Sequence, residues 1–249
     1  MISASHLGFS YAPGQAALHR ISFALGAGER VVLLGANGAG KSTLLGLCNG
    51  LLRPCHGELR VGQVLFSYTN AGLRELRRKV ATVLQDPSDQ LFGATVLQDV
   101  AMGPVESGLA EAEARRLARQ SLEALGAGPL AERPIHALSV GEKKRVALAG
   151  VLVGGPSVLL LDEPTAGLDA PGEDALLAVL SARCAEGMTV LVATHDTGMV
   201  ERWATRAMVL RAGRLVFDGG ADTLLRDWPR ATEGCGLREP ALAAARMSR

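Results

Sequence analysis

The sequence predicts an α/β fold in which helices flank a mostly parallel β-sheet. Short apolar segments typical of buried strands are each followed by polar or glycine-rich loops, and helical stretches separate them. This alternation favours parallel strands joined by crossover helices, because helices cover the faces of a parallel sheet. The four predicted strands are residues 31–34, 80–84, 158–161 and 190–193.

A small antiparallel β subdomain is predicted before the first of these strands. Residues 6–11 and 18–25 have strand character, and they flank Pro13 and Gly14, a dipeptide typical of turns. Two strands joined by so short a turn pair in the antiparallel sense. We therefore expect an N-terminal β subdomain beside the main sheet.

An inserted helical subdomain is predicted over residues 87–156. This segment is rich in Ala, Glu and Arg, carries leucines at helical spacing and contains no strong strand candidate. We expect one globular domain over residues 1–228 that includes this insert. Residues 229–249, rich in Ala and Arg and interrupted by prolines, are expected to form a loosely held C-terminal tail.

Composition and charge argue against several classes of protein. The 26 basic and 25 acidic residues leave a net charge of +1, so no global field attracts nucleic acid or an anionic membrane. The four cysteines are too scattered for a metal site or a disulfide scaffold, which favours free thiols. The chain does not begin with a basic segment and an apolar run, so export is not expected. The most apolar stretch, residues 146–161, is too short to span a bilayer.

The segment GANGAGKST at residues 35–43 matches the phosphate-binding loop Gly-x-x-x-x-Gly-Lys-Ser and lies between a predicted strand and a predicted helix. Its glycines allow backbone N–H groups to converge on phosphate oxygens, and the helix start adds the positive end of its dipole. Lys41 would bind the β- and γ-phosphates, and Ser42 would offer its hydroxyl to Mg²⁺. The predicted residues for ATP and Mg²⁺ are Gly35, Asn37, Gly38, Ala39, Gly40, Lys41, Ser42 and Thr43.

Two carboxylates follow the apolar run at residues 158–161, which places them at the C-terminal edge of the sheet, where nucleotides bind in open α/β folds. Asp162 is expected on the metal side. Glu163 is expected to act as the general base for the attacking water. Together with the phosphate-binding loop, this pair predicts ATP hydrolysis.

The segment LSVGE at residues 138–142 permits two interpretations. Ser139 and Glu142 satisfy the capping-box pattern, in which each side chain satisfies a backbone donor at a helix start. The same helix start, with Ser139 and Gly141, would also present N–H groups and a positive dipole end to an anion. The segment by itself does not decide between a cap and an anion site.

These motifs occur in the order found in the nucleotide-binding subunits of ABC transporters, which the chain resembles over residues 1–228. The series is GANGAGKST, Gln85, LSVGE, LLLDEP, residues 166–169 and His195. The resemblance implies a P-loop NTPase fold of ABC type, in which two subunits sandwich two ATP molecules. Ser139 and Gly141 of each subunit would then act on the ATP of the other. The family usually has Gly where this chain has Val140, and often Gln where it has Glu142.

The same resemblance implies roles for four single residues. Tyr11 is similar to the aromatic residue that stacks on adenine, and His195 to the histidine that contacts the γ-phosphate. Gln85 resembles the glutamine that links the metal site to the helical lobe, which makes it both a metal ligand and a catalytic residue. Asp169 resembles the residue that communicates across the dimer.

A narrower resemblance, to the energy-coupling-factor group of importers, rests on LQDPSDQLF at residues 84–92 and on the segment that follows it. GEKKRVALAGVL at residues 141–152 is similar to the ATPase subunits of cobalt and nickel importers. The resemblance implies a motor subunit that is peripheral on the cytoplasmic face of the cell membrane. Its partners would be a second copy or a related ATPase, together with integral membrane coupling and substrate-binding subunits.

Two alternatives stay open at this point. The ATPase does not touch the cargo, so a vitamin, an amino acid or another metal fits the same sequence. A soluble ABC ATPase acting on nucleic acid or ribosomes would share the phosphate chemistry. The chain, however, has one phosphate-binding loop and no sustained heptad pattern or basic stripe, so no nucleic-acid partner is expected.

Overall fold

Two β-sheets and nine α-helices form the fold within residues 2–241, the part of the chain that the computed structural model describes. The strands are β1 (Ile2–Ala12), β2 (Gln15–Leu25), β3 (Arg30–Leu34), β4 (His56–Val61), β5 (Val64–Leu65), β6 (Val80–Val83), β7 (Val158–Asp162), β8 (Thr189–Thr194), β9 (Arg206–Arg211) and β10 (Arg214–Gly220). The helices are α1 (Lys41–Cys48), α2 (Asn70–Lys79), α3 (Val96–Glu106), α4 (Glu111–Ala124), α5 (Val140–Leu152), α6 (Ala170–Ala185), α7 (Gly198–Arg202), α8 (Ala221–Arg226) and α9 (Trp228–Ala231).

The main sheet has six strands in the order β10-β9-β3-β8-β7-β6. The five strands from β9 to β6 are parallel to one another, and β10 returns antiparallel to β9. The four strands predicted from apolar runs are β3, β6, β7 and β8, which are neighbours in this sheet. The prediction of a mostly parallel sheet flanked by helices is confirmed.

Strand β3 shows why these runs are continuously apolar. Its residues 31–34 are fully buried, and successive side chains enter different cores. Val31 and Leu33 pack with α1 and the β subdomain, whereas Val32 and Leu34 pack with the helices on the opposite face. A strand with both faces covered has no solvent side, so it carries no alternating polar residues.

The N-terminal sheet has four antiparallel strands in the order β2-β1-β4-β5. The predicted pair is β1 and β2, with Ala12 opposite Gln15 and Gly14 in the left-handed region at φ 80°. Strands β4 and β5 were not predicted. In β4 only Leu59 is buried, so the strand shows no clear apolar alternation.

Helices α3, α4 and α5 occupy the segment between β6 and β7 for which a helical insert was predicted. They pack on one another through small and branched residues, and α4 buries Ala114, Ala118 and Leu122 at helical spacing. Their apolar side chains join the same buried cluster as one face of the main sheet. The bounds of a separate subdomain therefore stay a prediction.

The C-terminal segment differs from the expectation of a loose tail that begins at residue 229. Trp228 in α9 is 3% exposed and Cys235 is 4% exposed. The Thr232 hydroxyl donates to the carbonyl of Trp228 at 2.7 Å, and the guanidinium of Arg211 donates to the carbonyl of Glu233. The chain is therefore packed against the domain as far as Cys235. The part of the predicted tail at residues 242–249 lies outside the described residues.

Trp228→Ala is expected to lower the free energy of unfolding by about 3–5 kcal/mol, because it leaves a large cavity between α9 and the core. Urea denaturation followed by circular dichroism measures this loss. Arg230→Ala on the same helix is the control, since Arg230 is exposed and its replacement should change stability by less than about 0.5 kcal/mol. Equal stability of the two variants would contradict the burial of Trp228 against the core.

Candidate functional site

A cleft of about 440 Å³ opens where α1 begins and where β7 and β8 end. Because β3, β7 and β8 are parallel, their carboxyl ends meet at this edge of the sheet. Among the predicted site residues, the cleft is lined by Tyr11, Asn37, Gly38, Gly40, Lys41, Ser42, Thr43, Gln85, Asp162, Glu163 and His195. It is also lined by Ala17, which sequence reasoning did not single out, and by Ala166 of the segment 166–169.

The loop between β3 and α1 has two glycines with positive φ, Gly38 at 79° and Gly40 at 104°. A Cβ on Gly40 would lie 2.8 Å from Leu18 and 3.0 Å from the carbonyl of Ala17, so only glycine fits there. Gly35 does not line the cleft. A Cβ on Gly35 would lie 2.8 Å from the carbonyl oxygen of Leu210, so close packing requires glycine at this position.

Ala39 also lies away from the cleft wall. It is 6% exposed and belongs to the core cluster that α1 shares with the β subdomain. Of the predicted phosphate-binding segment, Gly35 and Ala39 therefore shape the loop from behind, while its other predicted members face the cleft.

Lys41 is 7% exposed, and its ammonium lies inside the loop. Nζ donates to the carbonyl of Gly35 at 2.7 Å and to that of Ala36 at 3.3 Å, and it lies 3.9 Å from Oε1 of Glu163. Burial lowers the pKa of Lys41, while the carboxylates of Glu163 and Asp162 oppose that shift. The loop thus holds a partly desolvated cation at the cleft wall.

Asp162 ends β7 beside Ser42, the second residue of α1. Burial raises the pKa of the Asp162 carboxyl, a hydrogen bond from Ser42 opposes the rise, and the nearby Glu163 adds to it. Among residues 2–241 no group of three or more His, Cys, Asp or Glu side chains is arranged to hold a metal. One carboxylate with hydroxyl and amide oxygens suits Mg²⁺, which takes its remaining ligands from phosphates and water.

Glu163 is the most constrained residue of the cleft. It is 7% exposed, and its backbone φ of 46° lies in the left-handed region, which costs roughly 1–3 kcal/mol outside glycine. Oε2 accepts from the Thr194 hydroxyl at 2.8 Å. Oε1 accepts from the backbone N–H of His195 at 3.0 Å and lies 2.8 Å from Nδ1 of the same residue. These contacts fix the direction of the carboxylate.

Thr194 is a site residue that sequence reasoning missed. It is fully buried, and its hydroxyl both donates to Glu163 and accepts from the backbone N–H of Asp196 at 3.0 Å. The signal was available, because Thr194 ends a parallel strand next to the one that ends before Glu163. The exposed His195, with 62% of its side chain open to solvent, follows it at the same edge.

Ser139, Gly141 and Asp169 do not line the cleft. Ser139 and Glu142 form the predicted capping box at the start of α5. The Ser139 N–H donates to Oε2 of Glu142 at 2.7 Å, the Glu142 N–H donates to the Ser139 hydroxyl at 3.3 Å, and Arg133 contacts the same carboxylate at 2.9 Å. Asp169 caps α6 by accepting from the N–H of Gly172 at 3.0 Å. In one protomer Ser139 and Asp169 therefore have local structural roles as helix caps.

Comparison with known proteins decides the family. The model of the family described as ABC transporter matches residues 18–166. The chain belongs to the ABC transporter family. One similar relative of this ABC ATPase is the cobalt import ATP-binding protein CbiO of Rhodobacter capsulatus, 44% identical over 249 residues, which cover 100% of this chain and 89% of the relative.

Two further comparisons agree with that assignment. The energy-coupling factor transporter ATP-binding protein EcfA of Methanothermobacter thermautotrophicus is 42% identical over 227 residues, or 91% of this chain and 73% of the relative. Among solved structures, cbiO1 from Clostridium perfringens, described as part of the ABC transporter complex cbiONQ, superposes with a TM-score of 0.84. It is 37% identical, and the superposition covers 99% of this chain and 98% of that one.

The dimeric ATP-binding cassette MJ0796 with bound ADP and Pi superposes with a TM-score of 0.81 at 26% identity, covering 89% of this chain and 99% of that one. The predicted fold of ABC type and the resemblance to energy-coupling-factor ATPases are thus confirmed. The protein is an ABC-type ATPase that binds and hydrolyses ATP in the service of transport. Within residues 2–241, none of its helices has the length and apolar character needed to cross a bilayer.

Proposed function

We propose that this ABC ATPase is the motor subunit of a membrane importer whose cargo is cobalt or nickel ions, and that it works as an ATP-sandwich dimer. The observation that carries the proposal is the cleft in which the phosphate-binding loop faces Asp162, Glu163 and His195. The likeness to the cobalt import protein CbiO and to cbiO1 of the cbiONQ complex supports the cargo and the membrane partners.

ATP would enter the cleft with its adenine against Tyr11. This side chain is 64% exposed, its hydroxyl lies 3.0 Å from that of Thr43, and Phe9 supports it edge-on with ring centroids 4.9 Å apart. An exposed aromatic face held in this way suits stacking on a base. The N–H groups between Asn37 and Thr43 and the ammonium of Lys41 would then bind the phosphates.

Mg²⁺ would be held by Ser42, Asp162 and Gln85, whose hydroxyl, carboxylate and amide oxygens fit a hard cation. When bound, the cation neutralises charge on the phosphate oxygens. Gln85 is exposed, and it precedes the segment Pro87–Asp89 that leads to the helical insert. Its position therefore suits a residue that relates the metal site to the helical lobe.

Hydrolysis would use Glu163 as the general base that accepts a proton from the attacking water. The hydrogen bonds from Thr194 and from the His195 N–H hold its two oxygens in fixed directions. With Nδ1 of His195 at 2.8 Å from Oε1 of Glu163, the other ring nitrogen would contact the γ-phosphate. Lys41 would stabilise the same phosphate.

A dimer would bring Ser139, Gly141 and Asp169 to an ATP molecule, the one bound by the other subunit. Ser139 is exposed at the start of α5, and none of the three lines the cleft of its own protomer. The N-terminal end of α5 would instead meet the ATP of a second copy or of a related ATPase. The dimeric neighbour with ADP and Pi supports this arrangement.

The membrane partners would be integral coupling and substrate-binding subunits on which the protein docks, as a peripheral subunit, at the cytoplasmic face of the cell membrane. The net charge of +1 gives no basic field that would favour nucleic acid instead. The cargo would be handled by those partners, since no metal-binding cluster of His, Cys, Asp and Glu occurs within residues 2–241.

The test is co-purification of the tagged Glu163→Gln chain with ATP from detergent-solubilised membranes, followed by uptake of radiolabelled cobalt and nickel in cells with the wild-type chain. A small multi-helix membrane protein is expected with the tagged chain, together with uptake that Lys41→Met abolishes. If membrane proteins co-purify but neither cobalt nor nickel is taken up, the proposed cargo is wrong and the importer has a different one. A complex without membrane proteins that binds nucleic acid in a salt-dependent way would overturn the importer.

A further inference from the structure

The side chain of Lys144, on the second turn of α5, lies against the backbone that follows Glu163. Nζ donates to three carbonyl oxygens: that of Glu163 at 3.2 Å, that of Pro164 at 3.0 Å and that of Ala166 at 2.5 Å. A lysine ammonium has three N–H donors and no acceptor, so these carbonyls satisfy it completely. Lys144 therefore closes a turn of the chain around its own charge.

This turn needs such a restraint. Three carbonyl dipoles point at one place, and Glu163 holds a backbone φ of 46° that a non-glycine residue keeps only when its surroundings impose it. Charge-assisted hydrogen bonds are about twice as strong as neutral ones, so one ammonium can hold the three carbonyls together. The Glu163 N–H is fixed from the other side by the carbonyl of Ala193 at 2.9 Å.

Lys144 does not line the cleft, and it contacts Glu163 only through the backbone carbonyl. It is half-buried, and burial lowers its pKa while the carboxylate of Glu163 opposes the shift. A cation kept partly out of water at this place strengthens its hold on the carbonyls, because the local dielectric is low. Lys144 can therefore affect ATP hydrolysis only by changing the position of the Glu163 side chain.

We propose that Lys144 is a positioning residue for ATP hydrolysis, whose ammonium holds the turn after Glu163 so that the carboxylate stays aimed into the cleft. The inference rests on the proposed role of Glu163 as general base. Lys144 also stands five residues after Ser139 on one helix, a rise of about 7.5 Å. Ser139 caps the helix on whose second turn Lys144 lies.

Lys144→Met is the test, because it keeps the length and apolar stem of the side chain and removes the ammonium. The turnover number is expected to fall roughly 10- to 100-fold, the loss that follows a displacement of about 1 Å of a catalytic group. The KM for ATP should stay within about twofold of wild type, because Lys144 contacts neither Tyr11 nor the phosphate-binding loop. Lys144→Arg, which keeps the charge but not the point-like geometry, should recover part of the turnover.

Lys143→Met is the matched control. Lys143 is the preceding residue of the same helix, and its ammonium lies 3.3 Å from the exposed Ser88 hydroxyl and near the exposed carboxylate of Asp86. Its replacement removes the same charge and should leave turnover of the isolated ATPase unchanged. Thermal midpoints of all variants are measured beside the kinetics, so that a loss of folded protein is not mistaken for a loss of turnover.

A double-mutant cycle separates the two proposals. In single-turnover experiments on Glu163→Gln, adding Lys144→Met should slow hydrolysis by less than about twofold, since the group it positions is gone. The full 10- to 100-fold effect of Lys144→Met in that background would overturn the positioning role. Wild-type turnover in Lys144→Met would also overturn it. The same holds if Lys144→Met changes turnover, KM and thermal midpoint together and Lys144→Arg recovers none of them. Normal turnover of Glu163→Gln itself would instead remove the general base from the proposed function.

Discussion

Glu163→Gln is expected to reduce steady-state ATP turnover by roughly 10²- to 10⁴-fold while ATP is still bound. The amide has almost the shape of the carboxylate, and its one oxygen can still accept from the His195 N–H. Its NH₂ group would then face the Thr194 hydroxyl, whose oxygen can accept from it. The amide cannot take a proton from water. The variant should therefore collect as a dimer with ATP, which phosphate release, ATP titration and size-exclusion chromatography measure together.

Glu58→Gln is the control for loss of a carboxylate. Glu58 lies in β4, half of its side chain is exposed, and its partner is the neighbouring Arg60 at 3.3 Å. Turnover of this variant should equal that of wild type. If Glu163→Gln turned over ATP at the same rate, another group would have to activate the water, and the buried hydrogen bonds of Glu163 would have only a structural role.

Lys41→Met is expected to weaken ATP binding roughly 10- to 150-fold, the range that corresponds to one charge-assisted hydrogen bond of about 1.5–3 kcal/mol. The free ammonium already bonds to the carbonyls of Gly35 and Ala36, so it is fixed at the place where phosphates would bind. Turnover should also be lost, since the buried Glu163 then has no cation at 3.9 Å. Equilibrium titration with a fluorescent ATP analogue measures the affinity.

Lys79→Met serves as its control, because Lys79 ends α2 far from the cleft lining and pairs with Glu75 four residues before it, at 2.9 Å. An ATP affinity equal to wild type in Lys41→Met would contradict the phosphate-binding role of the loop. The two replacements in the cleft also differ from each other. Glu163→Gln should abolish hydrolysis while ATP stays bound, whereas Lys41→Met should reduce the fraction of sites that bind ATP.

The parts of the fold that could be predicted are those in which burial leaves a continuous pattern. The four central strands are apolar on both faces, so each is visible as a run of branched residues. Strand β4 buries only Leu59, and β10 has no fully buried residue, so neither shows such a run. The β9–β10 hairpin carries only part of a turn signal, because Gly213 suits its φ of 72° whereas Ala212, at 45°, is not a residue typical of that region.

The residues of the site likewise divide into those that the sequence predicts and those that it does not. Residues that act through side-chain type at fixed spacing, such as Lys41 and Asp162, were predicted, and the cleft contains them. Lys144 acts on carbonyl oxygens about twenty positions away, and a carbonyl has no sequence signature. The positive φ of Glu163 could not be predicted either, because that region is ordinarily a property of glycine. Backbone geometry accounts for these two omissions, whereas Thr194, which acts through its hydroxyl, was missed although its place at the end of β8 was an available signal.

The cap on α5 has an electrostatic consequence for any polyanion that approaches it. The N–H of Ser139 keeps the pKa of Glu142 below its ordinary value, so a full negative charge stands at a helix end that should attract phosphates. The guanidinium of Arg133 lies 2.9 Å from that carboxylate, and its positive charge offsets the negative charge of Glu142. The field felt at a distance is then that of the helix dipole. An uncharged glutamine would leave no such charge to offset at this helix end, whereas this chain's glutamate is offset by Arg133.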